Sequence, residues 1–211
     1  MYFSHVVNKI YLKLFIEHIY NLRLSNGMIN RITKIVIFFL LLSNQVVAES
    51  QSKLRDSISD VNANVLFMRH ALAPGFGDPI NFSINNCNSQ RNLDKRGKAQ
   101  AQAIGAAIIQ SGFRFNQILS SEWCRCKETA ELMDLGKWGT FSGLNSFFQR
   151  YADKAKTLQQ LNSRFEEFKE GVTLLITHQV TISAITGASV GSGEFVAYNT
   201  ISKEAKVFRL D

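Results

Sequence analysis

The chain is poor in residues that several common chemistries require. Its 211 residues include only two prolines, three cysteines and four histidines. No C-x-x-C and no H-x-x-x-H spacing occurs, which argues against zinc, and no metal or other cofactor is expected. The apolar stretch Ile35–Leu42 is eight residues long, far too short to cross a bilayer as a helix. No run of clustered Lys/Arg interleaved with aromatics is present, so a nucleic-acid-binding face is not expected. There is no internal repeat and no low-complexity tract.

The net charge of +7 is unevenly placed. Of 24 basic and 17 acidic residues, five and one respectively fall within residues 1–48, which leaves 19 against 16 and a net of +3 for the rest. That mild excess suits a small anionic substrate. Met28 to Lys34 is short and basic, Ile35 to Leu42 is apolar, and Val46-Val47-Ala48 supplies the small residues a signal peptidase needs. The expectation is a signal peptide over 28–48, cleaved after Ala48, an exported and most simply periplasmic product, and no stable membrane span once cleavage is done. Residues 1–27 precede a methionine that begins a complete signal, so they are expected to be an extension from a mis-assigned start. Residues 49–62 are polar and serine-rich and read as a linker, which leaves 63–211 as the domain.

Within that domain apolar runs alternate with amphipathic ones. Asn64–Met68, 117–120 and 172–177 read as buried strands, and 195–200 and 205–210 as terminal strands suited to a hairpin. Helices are expected over 94–110, 122–133, 154–169 and 180–185. The first has a small face of Ala99, Ala103, Ala106 and Ala107; the third spaces Ala155, Leu158, Leu161, Phe165 and Phe168 by three and four. The segment 71–91 holds both prolines, Pro74 and Pro79, and is a long loop of the kind that carries function. The pattern predicts an α/β fold, a three-layer α/β/α sandwich with a mostly parallel central sheet. The sequence sets no oligomeric state.

Beyond residue 48 the chain has two histidines, and each follows a predicted buried strand. Arg69-His70 ends the first and His178 ends the strand over 172–177. Parallel strands of α/β sheets deliver functional side chains at these ends, so two imidazoles and an arginine suggest an anion site with a nucleophile. Export would place Cys87, Cys124 and Cys126 in an oxidising compartment. Cys124 and Cys126 lie too close in sequence to pair comfortably, and a bridge from Cys87 to either would tie the 71–91 loop to Arg125.

These residues fall into four segments. Val65-Leu66-Phe67-Met68-Arg69-His70-Ala71, Leu93-Asp94-Lys95-Arg96-Gly97-Lys98-Ala99-Gln100-Ala101, Ser121 to Ala130 with Arg125 and Thr129, and Leu174-Leu175-Ile176-Thr177-His178 resemble, in order, the signatures of the histidine phosphatase (phosphoglycerate mutase-like) superfamily. Ala71 stands where that family usually has glycine. The resemblance covers about residues 64–190 and implies a histidine phosphatase-like fold. It also implies attack on phosphorus by His70, with Arg69, Arg125 and His178 clamping the phosphate oxygens, and a small phosphorylated substrate.

A leaving alkoxide needs a general acid, and here the chain departs from the family. The mutase-like glutamate has no counterpart in Leu144-Asn145-Ser146, and the aspartate that follows the second histidine in the acid-phosphatase branch is Gln179. Asp78 is the favoured candidate, with a turn-forming role before Pro79 as its structural alternative. The resulting expectation is an exported phosphomonoester hydrolase working through a phosphohistidine. The alternative is a phosphate-binding, catalytically impaired member of the same fold.

Overall fold

The computed structural model describes Lys34, residues 36–38, 53–168 and 170–210. Residues 1–45 and 46–211 form separate compact units. Of the first unit only Lys34 and residues 36–38 are described, and they are helical. The expected N-terminal extension and nearly all of the expected signal lie outside the described residues. Among the described residues no helix is long and apolar enough to cross a membrane.

Residues 46–211 are organised by a six-stranded sheet of order β3-β2-β4-β1-β5-β6. Its strands are β1 (Val65–Arg69), β2 (Gln117–Ser120), β3 (Gly139–Thr140), β4 (Thr173–Thr177), β5 (Phe195–Tyr198) and β6 (Ala205–Phe208). β3, β2, β4 and β1 are parallel, while β5 pairs antiparallel with β1 and closes a hairpin with β6. The helices are α1 (residues 53–60), α2 (Lys95–Ser111), α3 (Cys124–Met133), α4 (Lys154–Phe165) and α5 (Gln179–Thr186). Side chains alternate across the sheet with period two. Leu66, Met68, Leu174 and Ile176 pack with α2 and α3 on one face. Val65, Phe67 and Leu175 pack with Leu161, Phe165 and Ile182 of α4 and α5 on the other. Three layers result, as the alternation of strands and helices predicts.

Three expectations are corrected. The segment expected as a linker over 49–62 is helical at residues 53–60, and Leu54 is fully buried in the core together with Val61. Its many serines mask an apolar face at i, i+4 and i+7, namely Leu54, Ile58 and Val61. In α2 the packed face is Gly97, Ala101, Ile104, Gly105 and Ile108, whereas Ala99, Ala103 and Ala106 are exposed. A Cβ on Gly97 or Gly105 would run into the carbonyl of Leu72 or Met133, so glycines rather than alanines set the close approach. In α4, likewise, Thr157 is buried and Ala155 is exposed.

Candidate active site

β1 and β4 run side by side in parallel with Arg69 opposite Thr177. The residues that follow the two strands, His70 and His178, therefore emerge together, with ring centroids 5.4 Å apart. Both are buried, as is Arg125 in the first turn of α3. Arg69, His70, Asp78, Arg125 and His178, all anticipated from sequence, line one cleft of about 270 Å³.

The guanidinium of Arg125 organises the floor of this cleft. Asp78 takes its end-on fork, Nη1 donating to Oδ1 at 2.8 Å and Nη2 to Oδ2 at 3.1 Å. The side-on edge faces the imidazoles: Nε donates to His70 Nε2 at 3.2 Å, and Nη2 lies 3.4 Å from His178 Nδ1. His70 Nδ1 is 2.8 Å from the Ala71 carbonyl oxygen. A carbonyl can only accept, so Nδ1 carries the hydrogen and Nε2 is the bare nitrogen. His178 Nε2 lies 2.9 Å from Ser121 Oγ, which donates to Asn145 Oδ1 at 3.0 Å. Burial first, and then the charge of Arg125, hold both imidazoles well below the usual 6.5, with the Ala71 carbonyl opposing this at His70. Both rings are neutral near pH 7, and the bare Nε2 of His70 points at a cation.

Other side chains fix this arrangement. Arg69 Nη1 donates to the Val190 carbonyl at 2.8 Å, and its Nε is buried with no hydrogen-bond partner among the described residues. Gln179 Oε1 accepts from the Val190 N–H at 2.8 Å, so the residue in the aspartate position braces the loop that braces Arg69. Thr129 Oγ1 donates to the Arg125 carbonyl at 2.7 Å and accepts from the Ala71 N–H at 3.1 Å. Gln100 joins the Leu72 N–H to the Ser192 carbonyl. Thr129 and Gln100 were marked by the segments that resemble the signatures, though not for these bridging roles. Arg91 was not. It reaches the cleft at the end of the long loop, its Nε donating to the Gly77 carbonyl at 2.9 Å, and no local pattern marks it.

Asp78 is placed differently from the expectation for a proton donor. Besides both Arg125 contacts, it accepts from the Arg91 N–H at 2.9 Å and the Trp123 indole at 3.0 Å. Burial alone would raise its pKa, but the hydrogen bonds and charge of Arg125, with those two donors, outweigh burial and lower it. Its side chain is 5% exposed and Arg125's is 3%, so this is a buried ion pair. Two other acids do not line the cleft. Glu122 accepts from Asn145 Nδ2, and Glu194 is engaged by the Gly191 N–H and by Arg209. Among the described residues Asp78 is the sole carboxylate of the cleft.

Cys87 is bonded to Cys124 across 37 residues of sequence, which pins the Asp78 loop to the first residue of α3, beside Arg125. Cys126 is free and buried, and burial pushes its thiol up to about 12, so it is protonated and unsuited to nucleophilic work. A disulfide closing such a loop typically contributes roughly 2–4 kcal/mol. Cys87→Ser is expected to lower stability by that amount in urea unfolding and to expose the 71–91 loop to limited proteolysis. An unchanged midpoint and cleavage pattern would show that the bridge restrains nothing.

The two neutral histidines also set a pH dependence. In the unfolded chain each protonates near 6.5, whereas in the folded chain each resists protonation. Their contribution is thus complete above about pH 6.5 and is lost as pH falls below it, by up to about 1.4 kcal/mol per pH unit for each ring. The urea midpoint is expected to fall between about pH 7 and pH 5, and less steeply in His178→Asn. Equal slopes in both proteins would contradict the buried neutral state of His178.

No protein-family model matches the chain, and no curated protein matches it in sequence. Solved structures do match. A protein named as an alpha-ribazole-5′-P phosphatase from Escherichia coli aligns at 18% identity over 70% of this chain and 96% of its own, with a TM-score of 0.51. The protein histidine phosphatase SixA aligns at 16% identity over 68% and 93%, with a TM-score of 0.46. A mycobacterial glucosyl-3-phosphoglycerate phosphatase aligns at 9% identity over 68% and 95%, with a TM-score of 0.47. At these identities the likeness is one of fold, and the fold is the histidine phosphatase-like α/β fold.

Proposed function

We propose that the protein is a phosphomonoester hydrolase in which His70 is the nucleophile. The observation that carries this reading is the bare Nε2 of a buried neutral imidazole set 3.2 Å from Arg125 Nε, within a cleft that also holds Arg69, Arg91 and His178. Transfer of a phosphoryl group spreads negative charge over three oxygens, and catalysis lies mostly in positioning and in stabilising that charge. His70 Nε2 attacks phosphorus, a P–N bond forms as the ester P–O bond breaks, and the leaving oxygen departs with the electron pair. Arg69, Arg125 and His178 contact the phosphoryl oxygens. Water then attacks the phosphohistidine and returns the electron pair to Nε2, releasing inorganic phosphate.

Asp78 serves this reaction by holding Arg125. Its end-on pairing leaves the side-on edge of the guanidinium turned to both imidazoles, and its low pKa keeps it ionised. The leaving group therefore draws its proton from solvent, and substrates whose leaving oxygen is a weak base are preferred. The same lack of a proton donor favours, as second reading, a phosphate binder without turnover. Hydrolysis of p-nitrophenyl phosphate by the purified chain separates the two, since a binder would retain phosphate and release no nitrophenol.

We also infer export. The basic stretch before Ile35, the apolar core and Val46-Val47-Ala48 support it, as does the Cys87–Cys124 disulfide, a bond that persists in oxidising compartments.

A further inference from the structure

The cleft changes character from floor to mouth. His70, Arg125 and His178 are buried at one end, while Phe76 is 89% exposed and Phe148 is 37% exposed at the other. The two rings meet edge to face with centroids 5.2 Å apart. They come from separate loops that are clasped together. The Asp78 N–H donates to Gln149 Oε1 at 2.7 Å, Gln149 Nε2 donates back to the Asp78 carbonyl at 3.3 Å, and the Tyr151 hydroxyl donates to the Pro79 carbonyl at 2.8 Å. Gln149 and Arg150, next to Phe148, sit at φ of 59° and 64°. Non-glycine residues keep that unfavourable conformation only where their surroundings fix it. The aromatic pair is thus a prebuilt part of the rim.

The charged residues lining the cleft are Arg69, Asp78, Arg91 and Arg125. Asp78 is taken up by Arg125, and Arg91 lies against Gly75 with its guanidinium engaged by the Gly77 and Ala73 carbonyls. The rest of the lining is Gly75, Gly77, Ser146, Gln179 and Val180, and the Gln179 amide is engaged by the 188–190 loop. The charges near the phenylalanines are thus already engaged within the protein, which disfavours a second phosphate, a carboxylate or an ammonium there. This end offers flat apolar surface on the wall of the nucleophile's own cleft. A scattered exposed phenylalanine means little, but two in contact beside the anion site have a ligand-facing position.

We propose that Phe76 and Phe148 form the leaving-group subsite, and that the substrate is the phosphomonoester of an uncharged ring presenting an apolar face, either an aromatic ring or the C–H face of a sugar. The proposal rests on reading the cleft as a phosphate site. The test measures binding by calorimetry with phosphonates, whose P–C bond is not hydrolysed, so it does not depend on turnover. 1-Naphthylmethylphosphonate should bind roughly ten-fold or more tightly than methylphosphonate, because its ring buries apolar area and stacks against the two phenylalanines. The Phe76→Ala/Phe148→Ala double variant should erase that difference and leave methylphosphonate affinity unchanged. Both side chains are partly or wholly exposed, so this variant should fold. The phosphonate analogue of glucose 6-phosphate identifies the ring: a gain matching the naphthyl compound admits sugars, and a gain for the naphthyl compound alone restricts the subsite to aromatics. Equal affinity of all three phosphonates for the wild type, or a naphthyl advantage that survives in the double variant, would overturn the subsite. Hydrolysis of acetyl phosphate, which has no ring, should persist in the double variant. Its absence from the wild type with the naphthyl advantage intact would overturn the hydrolase reading alone.

Discussion

Replacing His70 by alanine is expected to abolish hydrolysis of every phosphomonoester, by roughly 10³-fold or more, as loss of a nucleophile does elsewhere. The bare Nε2 faces Arg125 from the floor of the cleft, and neither Cys126, a protonated buried thiol, nor His178, whose Nε2 is engaged with Ser121, offers a substitute. The fold should survive. His70 contributes a hydrogen bond to its neighbour's carbonyl rather than apolar packing, and the space it leaves is polar enough for water. Circular dichroism and the urea midpoint check the fold, and the rate on p-nitrophenyl phosphate checks the chemistry. A folded His70→Ala protein that keeps its rate would remove the nucleophile from the account.

The second large effect belongs to Asp78. Asp78→Asn keeps the shape of the side chain but leaves Arg125 buried with its compensating charge removed. Breaking a buried pair this way costs roughly 3 kcal/mol or more, and the freed guanidinium would no longer be aimed at the two imidazoles. The expected result is a loss of about 10²-fold in kcat/KM, as for removal of a charge-stabilising donor, and of equal size on alkyl and aryl phosphates. A general acid behaves otherwise: its loss slows alkyl esters by about 10²–10⁴-fold and barely touches p-nitrophenyl phosphate. The ratio of the two substrates in the two proteins therefore decides which role Asp78 has. A loss confined to alkyl phosphates would make Asp78 the proton donor and refute the role proposed for it in holding Arg125.

Much of this site was legible because its chemistry sits in short local patterns. A buried apolar run followed by Arg69-His70, another followed by His178, and an arginine one turn into a helix mark strand ends and a helix start that the sheet then brings together. The pairing of β1 with β4 does the rest, since one register places both histidines side by side. What sequence did not convey depends on long-range partners. Whether Asp78 gives a proton or pairs with a cation depends on Arg125, 47 residues away, and nothing in the loop itself announces that. Arg91, and the choice of Cys124 over Cys126 as partner of Cys87, depend equally on how the 71–91 loop folds back. The misread linker shows the opposite failure. Its serines suggested a connector, but three apolar residues at helical spacing were enough to dock residues 53–60 on the core.

Trapping the phosphorylated intermediate tests most directly whether His70 carries the phosphoryl group. Purified protein would be mixed with ³²P-labelled aryl phosphate, quenched in alkali, where phosphohistidine survives, and mapped by mass spectrometry. Phosphate is expected on the peptide that contains His70, lost on brief acid treatment and absent from His70→Ala. Steady release of inorganic phosphate with no label on that peptide at any quench time, or label on another residue, would contradict His70 as the carrier.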